Sequence, residues 1–439
     1  MEHGRQAKSK VGGKRRWLLL GLCVGLLGAL LAAFFFPRAW QRPSLPISLQ
    51  LPSGDYTPGW SLNGHSVMLI GIGGSGYAWN LSTNTLADRS TFYQSPKGLA
   101  MASFGMHHVV RIFFTGEVQV FDPVTGATIV DYKDPRTHGW GQLVFSTDEK
   151  KMALISDLFR FQVWDLQTGQ VERSFLLPRA EQLPSIAWSP DEQKLAVRYQ
   201  GQEIQIWDVA RGTRIGSLPG SALSGNGATM LWSPDNTRLL FIDSDYVQGL
   251  AARIWEIGIG RMVLAYQKHD QFVAVPDEND QWMAGGHSLL LNGGQLLVSA
   301  TTGQVLWEAS HTYSSYSSAS PDGKLLAVDV GATIEVLDAL TGRQLSTHSH
   351  ALSGGPGSWS PDSRSILSVE ENGRAQIWDA RTGNDHSTST LQVRPGARFS
   401  WSPDGSMIAL TTLSSNGTPA SNSLSGWEAQ ETAYILPTS

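Results

Sequence analysis

The chain has 439 residues, a formal net charge of −5 at pH 7 and a single cysteine, Cys23. Residues 1–16 contain six basic residues and one acidic residue, so residues 17–439 carry a formal charge of −10. This acidic balance argues against a nucleic-acid partner, because binding phosphate requires a basic surface. An internal disulfide is excluded, since it needs a second cysteine.

The N-terminal segment has the pattern of a signal anchor. Residues 17–36 form an uncharged run of 20 apolar or small residues, which as a helix matches a bilayer core of about 30 Å. The basic residues before it predict a cytoplasmic tail over residues 1–16 and an extracytoplasmic location for the rest of the chain. A cleaved signal peptide is the alternative, although its apolar region is usually shorter.

Residues 37–55 contain several prolines and glycines and are predicted to be a linker. Cys23 lies within the predicted span, so the exported part has no cysteine. A domain of this size that is exported without disulfides is more usual in a bacterial cell envelope than in a eukaryotic ectodomain. We therefore expect a single-pass membrane protein of the bacterial envelope.

The rest of the chain repeats one pattern at intervals slightly above forty residues. In its clearest copy, Trp188 ends a first strand, Ser189-Pro-Asp191 forms a turn, and two further strands lead to Trp207-Asp208. A Gly turn and a more polar fourth strand complete the unit. The positions of the Trp in Trp-Asp are predicted at Trp79, Phe121, Trp164, Trp207, Trp255, Ser299, Leu337, Trp378 and Trp427.

These repeats resemble the WD-repeat family, in particular bacterial members whose units read Trp-Ser-Pro-Asp-Gly. The resemblance implies an all-β fold, a single β-propeller of eight or nine four-stranded blades over residues 56–439. Residues 432–436 are expected to be the fourth strand of the last unit, and closure of the ring by a strand from residues 47–51 is an open alternative. One unit, from Thr301 to Trp307, also resembles a quinoprotein dehydrogenase repeat.

Two motifs resemble known ligand-binding sites. Gly71 to Gly76 matches a dinucleotide-binding pattern, but Tyr77-Ala-Trp79 follows as a strand rather than a helix, so a turn is predicted. Residues 277–280 resemble the start of a calcium loop without its glycine and glutamate, and a turn is predicted there too.

The repeated Asp residues are interpreted as turn formers. The pairs His107-His108 and His348-Ser-His350 lack a carboxylate or cysteine at a matching spacing, and partly buried or solvated histidines are predicted. No hydrolase elbow, zinc-protease motif or P-loop occurs. No catalytic, cofactor-binding or metal-binding residue is therefore predicted.

The WD-repeat resemblance implies a non-catalytic scaffold for protein–protein interaction, with protein partners of unknown identity. The alternative is an envelope enzyme or small-molecule sensor with its ligand in the propeller funnel, for which Asp243-Ser-Asp245 and Asp329 are candidates. A sensory ectodomain is a third hypothesis, but a tail of 16 residues has no room for a signalling module.

Overall fold

The structure is a computed structural model of the chain. It describes residues 47–52, 56–71, 75–93, 99–104, 107–133, 140–146, 148–157, 159–180, 184–199, 203–219, 229–245, 249–268, 280–292, 294–309, 317–331, 333–349, 357–369, 374–393, 397–413 and 431–438. Within these ranges no helix is both long and apolar enough to cross a bilayer. The predicted tail and membrane span lie outside them.

Residues 45–439 form one compact unit built from nine four-stranded antiparallel sheets. The first eight blades each use four consecutive strands. Blades 1–3 comprise β2 (Tyr56–Trp60), β3 (Ser66–Gly71), β4 (Gly76–Asn80), β5 (Thr85–Asp88); β6 (Leu99–Phe104), β7 (Val109–Phe113), β8 (Glu117–Phe121), β9 (Thr128–Lys133); and β10 (Trp140–Phe145), β11 (Lys151–Ser156), β12 (Arg160–Asp165), β13 (Gln170–Leu176).

Blades 4–6 comprise β14 (Ser185–Trp188), β15 (Lys194–Arg198), β16 (Ile204–Asp208), β17 (Thr213–Leu218); β18 (Thr229–Trp232), β19 (Arg238–Asp245), β20 (Gly249–Glu256), β21 (Arg261–Lys268); and β22 (Gln281–Met283), β23 (Ser288–Leu291), β24 (Leu296–Ser299), β25 (Val305–Glu308). Blades 7 and 8 comprise β26 (Ser317–Ala319), β27 (Leu325–Asp329), β28 (Thr333–Asp338), β29 (Gln344–Ser349); and β30 (Ser358–Trp359), β31 (Ser365–Val369), β32 (Arg374–Asp379), β33 (Asp385–Gln392). Two short helices, α1 (Ser90–Tyr93) and the 3₁₀ turn Ala284–Gly286, interrupt this order.

Blade 9 is closed by the N-terminal strand of the domain. Its strands are β34 (Arg398–Trp401), β35 (Met407–Leu413), β36 (Glu431–Pro437) and β1 (Ile47–Gln50). Ile47 pairs with Ile435 and Gln50 with Thr432, so β1 is the fourth strand and β36 is the third. The expectation that residues 432–436 form a fourth strand is wrong, and part of the predicted linker belongs to the sheet.

The strand register also corrects two of the predicted Trp-Asp positions. In blade 6 the residue that aligns with Trp207 is Val298, because Ser288 pairs with Ser299 as Lys194 pairs with Asp208. In blade 9 the aligned residue is Leu436, which pairs with Ile408, whereas Trp427 lies outside the described residues. Neither unit has a tryptophan at this position, so the sequence pattern alone could not align these two units with the others.

The core lies between blades rather than inside any one of them. One cluster joins Ile155 and Phe161 of blade 3 to Leu195 and Trp207 of blade 4. First strands of neighbouring blades contact each other, including β2 with β34 across the closure. The first strands therefore line the inside of the ring, and the fourth strands form its outer rim. A single blade would leave both apolar faces in water, so stacking supplies most of the stability.

Candidate functional site

Indole N–H groups bridge neighbouring blades. A tryptophan at the end of a first strand donates its Nε1–H to a first-strand carbonyl of the preceding blade. The pairs are Trp60 to Ser400 (2.8 Å), Trp232 to Ala187 (3.0 Å), Trp282 to Leu231 (3.0 Å), Trp359 to Ser318 (3.1 Å) and Trp401 to Ser358 (3.1 Å). Trp188 instead bonds Glu192 O at 3.1 Å within its own turn. These tryptophans fix the contact between blades and are structural.

The repeated Asp residues hold turns, as predicted. In the Ser189-Pro-Asp191 turn, Asp191 Oδ1 accepts from Ser189 Oγ at 2.6 Å and from Gln193 N at 3.1 Å. Asp148 makes the same contacts in blade 3, and hydrogen bonding to Lys150 lowers the pKa of Asp148 to about 2. At the other turn, backbone and side-chain hydrogen bonds from Thr168 lower the pKa of Asp165. These carboxylates are therefore committed to their own turns.

The two ends of the glycine motif belong to neighbouring strands, and residues 72–74 between them lie outside the described residues. Gly71 ends β3 and Gly76 begins β4, with Gly71 N bonded to Ser75 O at 2.8 Å. Gly76 therefore opens a strand, whereas a dinucleotide site requires a helix at this point. The segment 277–279 of the calcium-like motif lies outside the described residues.

Each predicted histidine pair includes a ring that reaches a carboxylate on the next blade. His107 Nδ1 lies 2.7 Å from Glu149 Oε2, and its Nε2 lies 3.2 Å from Trp60 O, so this ring connects three blades. His348 Nε2 lies 2.9 Å from Asp385 Oδ1, and its ring stacks on Trp378 with centroids 4.6 Å apart. Sequence spacing could not reveal Glu149 or Asp385, because both come from another blade.

Burial lowers the pKa of His108, which favours its neutral form. Across the described ranges, no three His, Cys, Asp or Glu side chains are placed to hold a metal ion. His350 lies outside those ranges.

Of the candidate funnel residues, only Asp329 has a described side chain. Asp329 is buried, and its Oδ1 accepts from Gly331 N at 2.9 Å, which caps the turn after β27. Residues 243–245 end β19, and their side chains lie outside the described part of the chain.

One open site lies between blades 4 and 5, on the side of the ring where first strands turn into second strands and third into fourth. We call it the 4/5 wedge. It is a cavity of about 640 Å³ lined by Lys194, Ile206, Ile215, Gly216, Ser217, Leu218, Asn236, Thr237, Glu256, Ile257, Gly258 and Gly260. Ile206 and Leu218 are buried at its floor, while Ile215 is 53% exposed and Ile259, between the two turn glycines, is 64% exposed.

A second cavity of about 840 Å³ lies between blades 8 and 9 on the same side of the ring. Its lining includes Asp362, Arg364, Asp379, His386 and Asp404, which makes it polar. Two of these carboxylates, Asp362 and Asp404, already hold turns in the same way as Asp191.

The repeat consensus did not single out the 4/5 wedge, because its signal is a missing side chain at Gly216.

No known family profile matches the chain, and no curated protein sequence matches it. Solved structures share its fold. The crystal structure of a eukaryotic initiation factor aligns with a TM-score of 0.51 at 17% identity, over 82% of this chain and 90% of that one. The computationally designed protein Ika8 aligns with a TM-score of 0.47 at 17% identity, over 75% of this chain and 98% of that one. At this identity, the likeness to the initiation factor shows the fold alone.

Proposed function

We propose that this chain is a membrane-anchored, WD-repeat-like scaffold that binds other proteins through the outer rim of its propeller, without catalysis. The observation that carries the proposal is the 4/5 wedge, an open cavity with an apolar floor, flanked by exposed Ile215 and Ile259. Exposed apolar surface next to a concave site is typical of recognition surfaces. The rigidity of stacked blades favours such a site, because little conformational entropy is lost on binding.

The anchored topology is part of the proposal and rests on the sequence. The apolar run 17–36 and the basic residues before it support a signal anchor with the propeller outside the cytoplasm. Cys23 is the only cysteine and lies within the predicted span, so an added cysteine can be labelled without background from the propeller.

Labelling of an added cysteine tests the topology. A cysteine at the exposed Phe114 should react with a membrane-impermeant maleimide in intact spheroplasts. A cysteine replacing Ser9 should react only after lysis. Reaction of Ser9→Cys before lysis, or of Phe114→Cys only after it, would contradict the proposed orientation.

Proximity labelling tests the scaffold function. The full-length chain is compared with a control in which residues 1–45 carry an unrelated exported domain. Partners enriched by the full chain and absent from the control support recognition by the propeller. Identical sets would show that the membrane segment alone determines the neighbours.

An envelope enzyme or sensor remains the second hypothesis, and its candidates are Asp243, Asp245 and Asp329. If it is right, a triple Asn variant should lose a ligand-dependent increase in melting temperature while its set of protein neighbours stays the same.

A further inference from the structure

In three blades an apolar side chain of the fourth strand fills the space next to the following blade. Strand pairing aligns Gly216, opposite Ile206, with one residue in each other blade: Ala87, Val130, Arg173, Leu264, Trp307, Ser346, Ser387 and Ile47. Val130 packs into a cluster with blade 3, and Leu264 into a cluster with blade 6. Trp307 packs against the cluster shared with blade 7. Blade 4 has no side chain here.

Blade 5, which faces Gly216, also lies farther from blade 4 here than other blades lie from their neighbours. In other blades the glycine of the turn between the third and fourth strands packs closely on the preceding blade. A Cβ built on Gly303 would lie 3.0 Å from Leu264 Cδ1, and one on Gly212 would lie 2.9 Å from Phe175 Cβ. At Gly260, the equivalent glycine of blade 5, such a Cβ meets no atom within 4 Å, and the same holds at Gly216 and Gly258.

Two features therefore leave the 4/5 wedge open. Gly216 has no side chain to fill it, and the turn of blade 5 that contains Gly260 does not pack on blade 4. A fitting group is indicated by the two neighbouring blades, 5 and 6, where Leu264 and Trp307 occupy the equivalent place and pack against the next blade. Both are large apolar side chains, and the floor of Ile206 and Leu218 is apolar as well.

The charges around the wedge are already paired. Lys194 Nζ lies 3.6 Å from Asp191, Glu256 lies 3.2 Å from Arg261, and Arg211 bonds Asp208 at 2.5 Å. A charged ligand would have to compete with these pairs, whereas an uncharged segment would leave them intact. Exposed Ile215 lines the opening and exposed Ile259 lies between two lining glycines, so apolar surface that a protein segment can contact continues outside the cavity.

We propose that the 4/5 wedge binds a single large apolar side chain, aromatic or aliphatic, presented by an uncharged segment of a partner protein. The partner's side chain occupies the space beside Gly216 in blade 4. Trp307 of this chain fills the equivalent space in blade 6. This inference rests on the proposed scaffold function and names the partner chemistry of its site.

Filling the wedge from within is the sharpest test. Gly216 does not have a positive φ, and a Cβ there meets no atom within 4 Å, so Gly216→Leu should fold with an unchanged or higher urea midpoint. Gly216→Ser is the matched control, because it adds a side chain too small to fill the cavity.

Binding is read by photocrosslinking in the full-length, membrane-embedded protein. Benzoylphenylalanine at Ile259 reports on the wedge, and the same group at Phe114 of blade 2 reports on a distant exposed site. We expect Gly216→Leu to reduce the crosslinked partner at position 259 by about tenfold, with Gly216→Ser close to wild type. The crosslinked segment should carry a large apolar residue without charged neighbours.

An undiminished yield in Gly216→Leu, a charged segment, or crosslinking to a second copy of this chain would overturn the wedge proposal. Protein crosslinks at position 114 with none at 259 would overturn it and leave the scaffold function standing. Crosslinks at neither position would count against both.

Discussion

At the scale of single residues, indole hydrogen bonds and carboxylate turns hold the blades in register. Trp232 is buried, and its N–H crosses to Ala187 O of the preceding blade, whereas Trp188 bonds only within its own turn. Both tryptophans end a first strand at equivalent positions. Comparing them therefore separates the stability contributed by the hydrogen bond between blades from that contributed by packing of the indole ring.

Trp232→Phe should destabilise the propeller more than Trp188→Phe does. Both changes remove an indole, but only the first removes a hydrogen bond between blades, at a cost of about 0.5–1.5 kcal/mol. Urea unfolding of the two variants measures the difference. Equal losses would mean that the bond between blades adds nothing to ring packing.

The turn carboxylates predict acid sensitivity. The Ser360 hydroxyl, together with backbone N–H bonds and the Arg364 charge, lowers the pKa of Asp362 from its ordinary value of 3.8, although burial opposes this. A carboxyl with a lowered folded-state pKa stabilises the fold fully above its unfolded pKa. That stabilisation is lost as the pH falls through the folded value, so the window lies below 3.8.

Asp362→Asn should therefore be less stable than wild type at neutral pH, with a gap that closes below about pH 4. Urea midpoints of both proteins between about pH 7 and pH 2.5 measure this gap. A gap that stays constant over that range would contradict the role of the ionised carboxylate.

At the scale of elements, the sequence predicted most blades because Ser-Pro-Asp and Trp-Asp mark two turns in each. Prediction from the sequence was less successful in units that lack these two motifs. Ile47–Gln50 lies among prolines and glycines and reads as a linker, and only its pairing with β36 makes it a strand. Leu436 takes the place of a Trp, so the last blade could not be aligned from local pattern. Pairing across nearly 400 residues has no local signature.

Closure by β1 predicts a sharp boundary for truncation. A chain that begins at residue 46 keeps β1 and should have the melting temperature of the intact propeller. A chain that begins at residue 54 loses β1, leaves β36 with an unpaired edge, and should melt several degrees lower and aggregate. Differential scanning calorimetry compares the two. Equal melting temperatures would show that β1 is dispensable for closure.

The site illustrates the same limit of sequence reasoning. That the Asp turns are structural was predictable from local pattern, whereas the carboxylate partners of His107 and His348 come from other blades. The sequence around Gly216 is that of an ordinary strand. Only the strand register pairs Gly216 with Ile206, and only the structure shows open space between it and the turn of blade 5. The proposed binding site depends on a difference between repeats, and that difference becomes visible only after the repeats are aligned in space.

At the scale of the whole molecule, nine blades closed by a terminal strand form a ring whose stability is shared among neighbours. In our account the apolar N-terminal run locates this ring at the membrane and the propeller recognises the partner. The two roles are separable, because the closure strand begins at Ile47, after the predicted span.

The most direct test is a crosslinked pulldown that compares the full-length, membrane-embedded protein with a form in which residues 1–45 are replaced by a cleavable signal. We predict that both forms recover the same partner proteins, with lower yield from the released form because it is more dilute. Partners recovered only with the anchored form, or with neither form, would contradict the claim that the propeller carries the recognition.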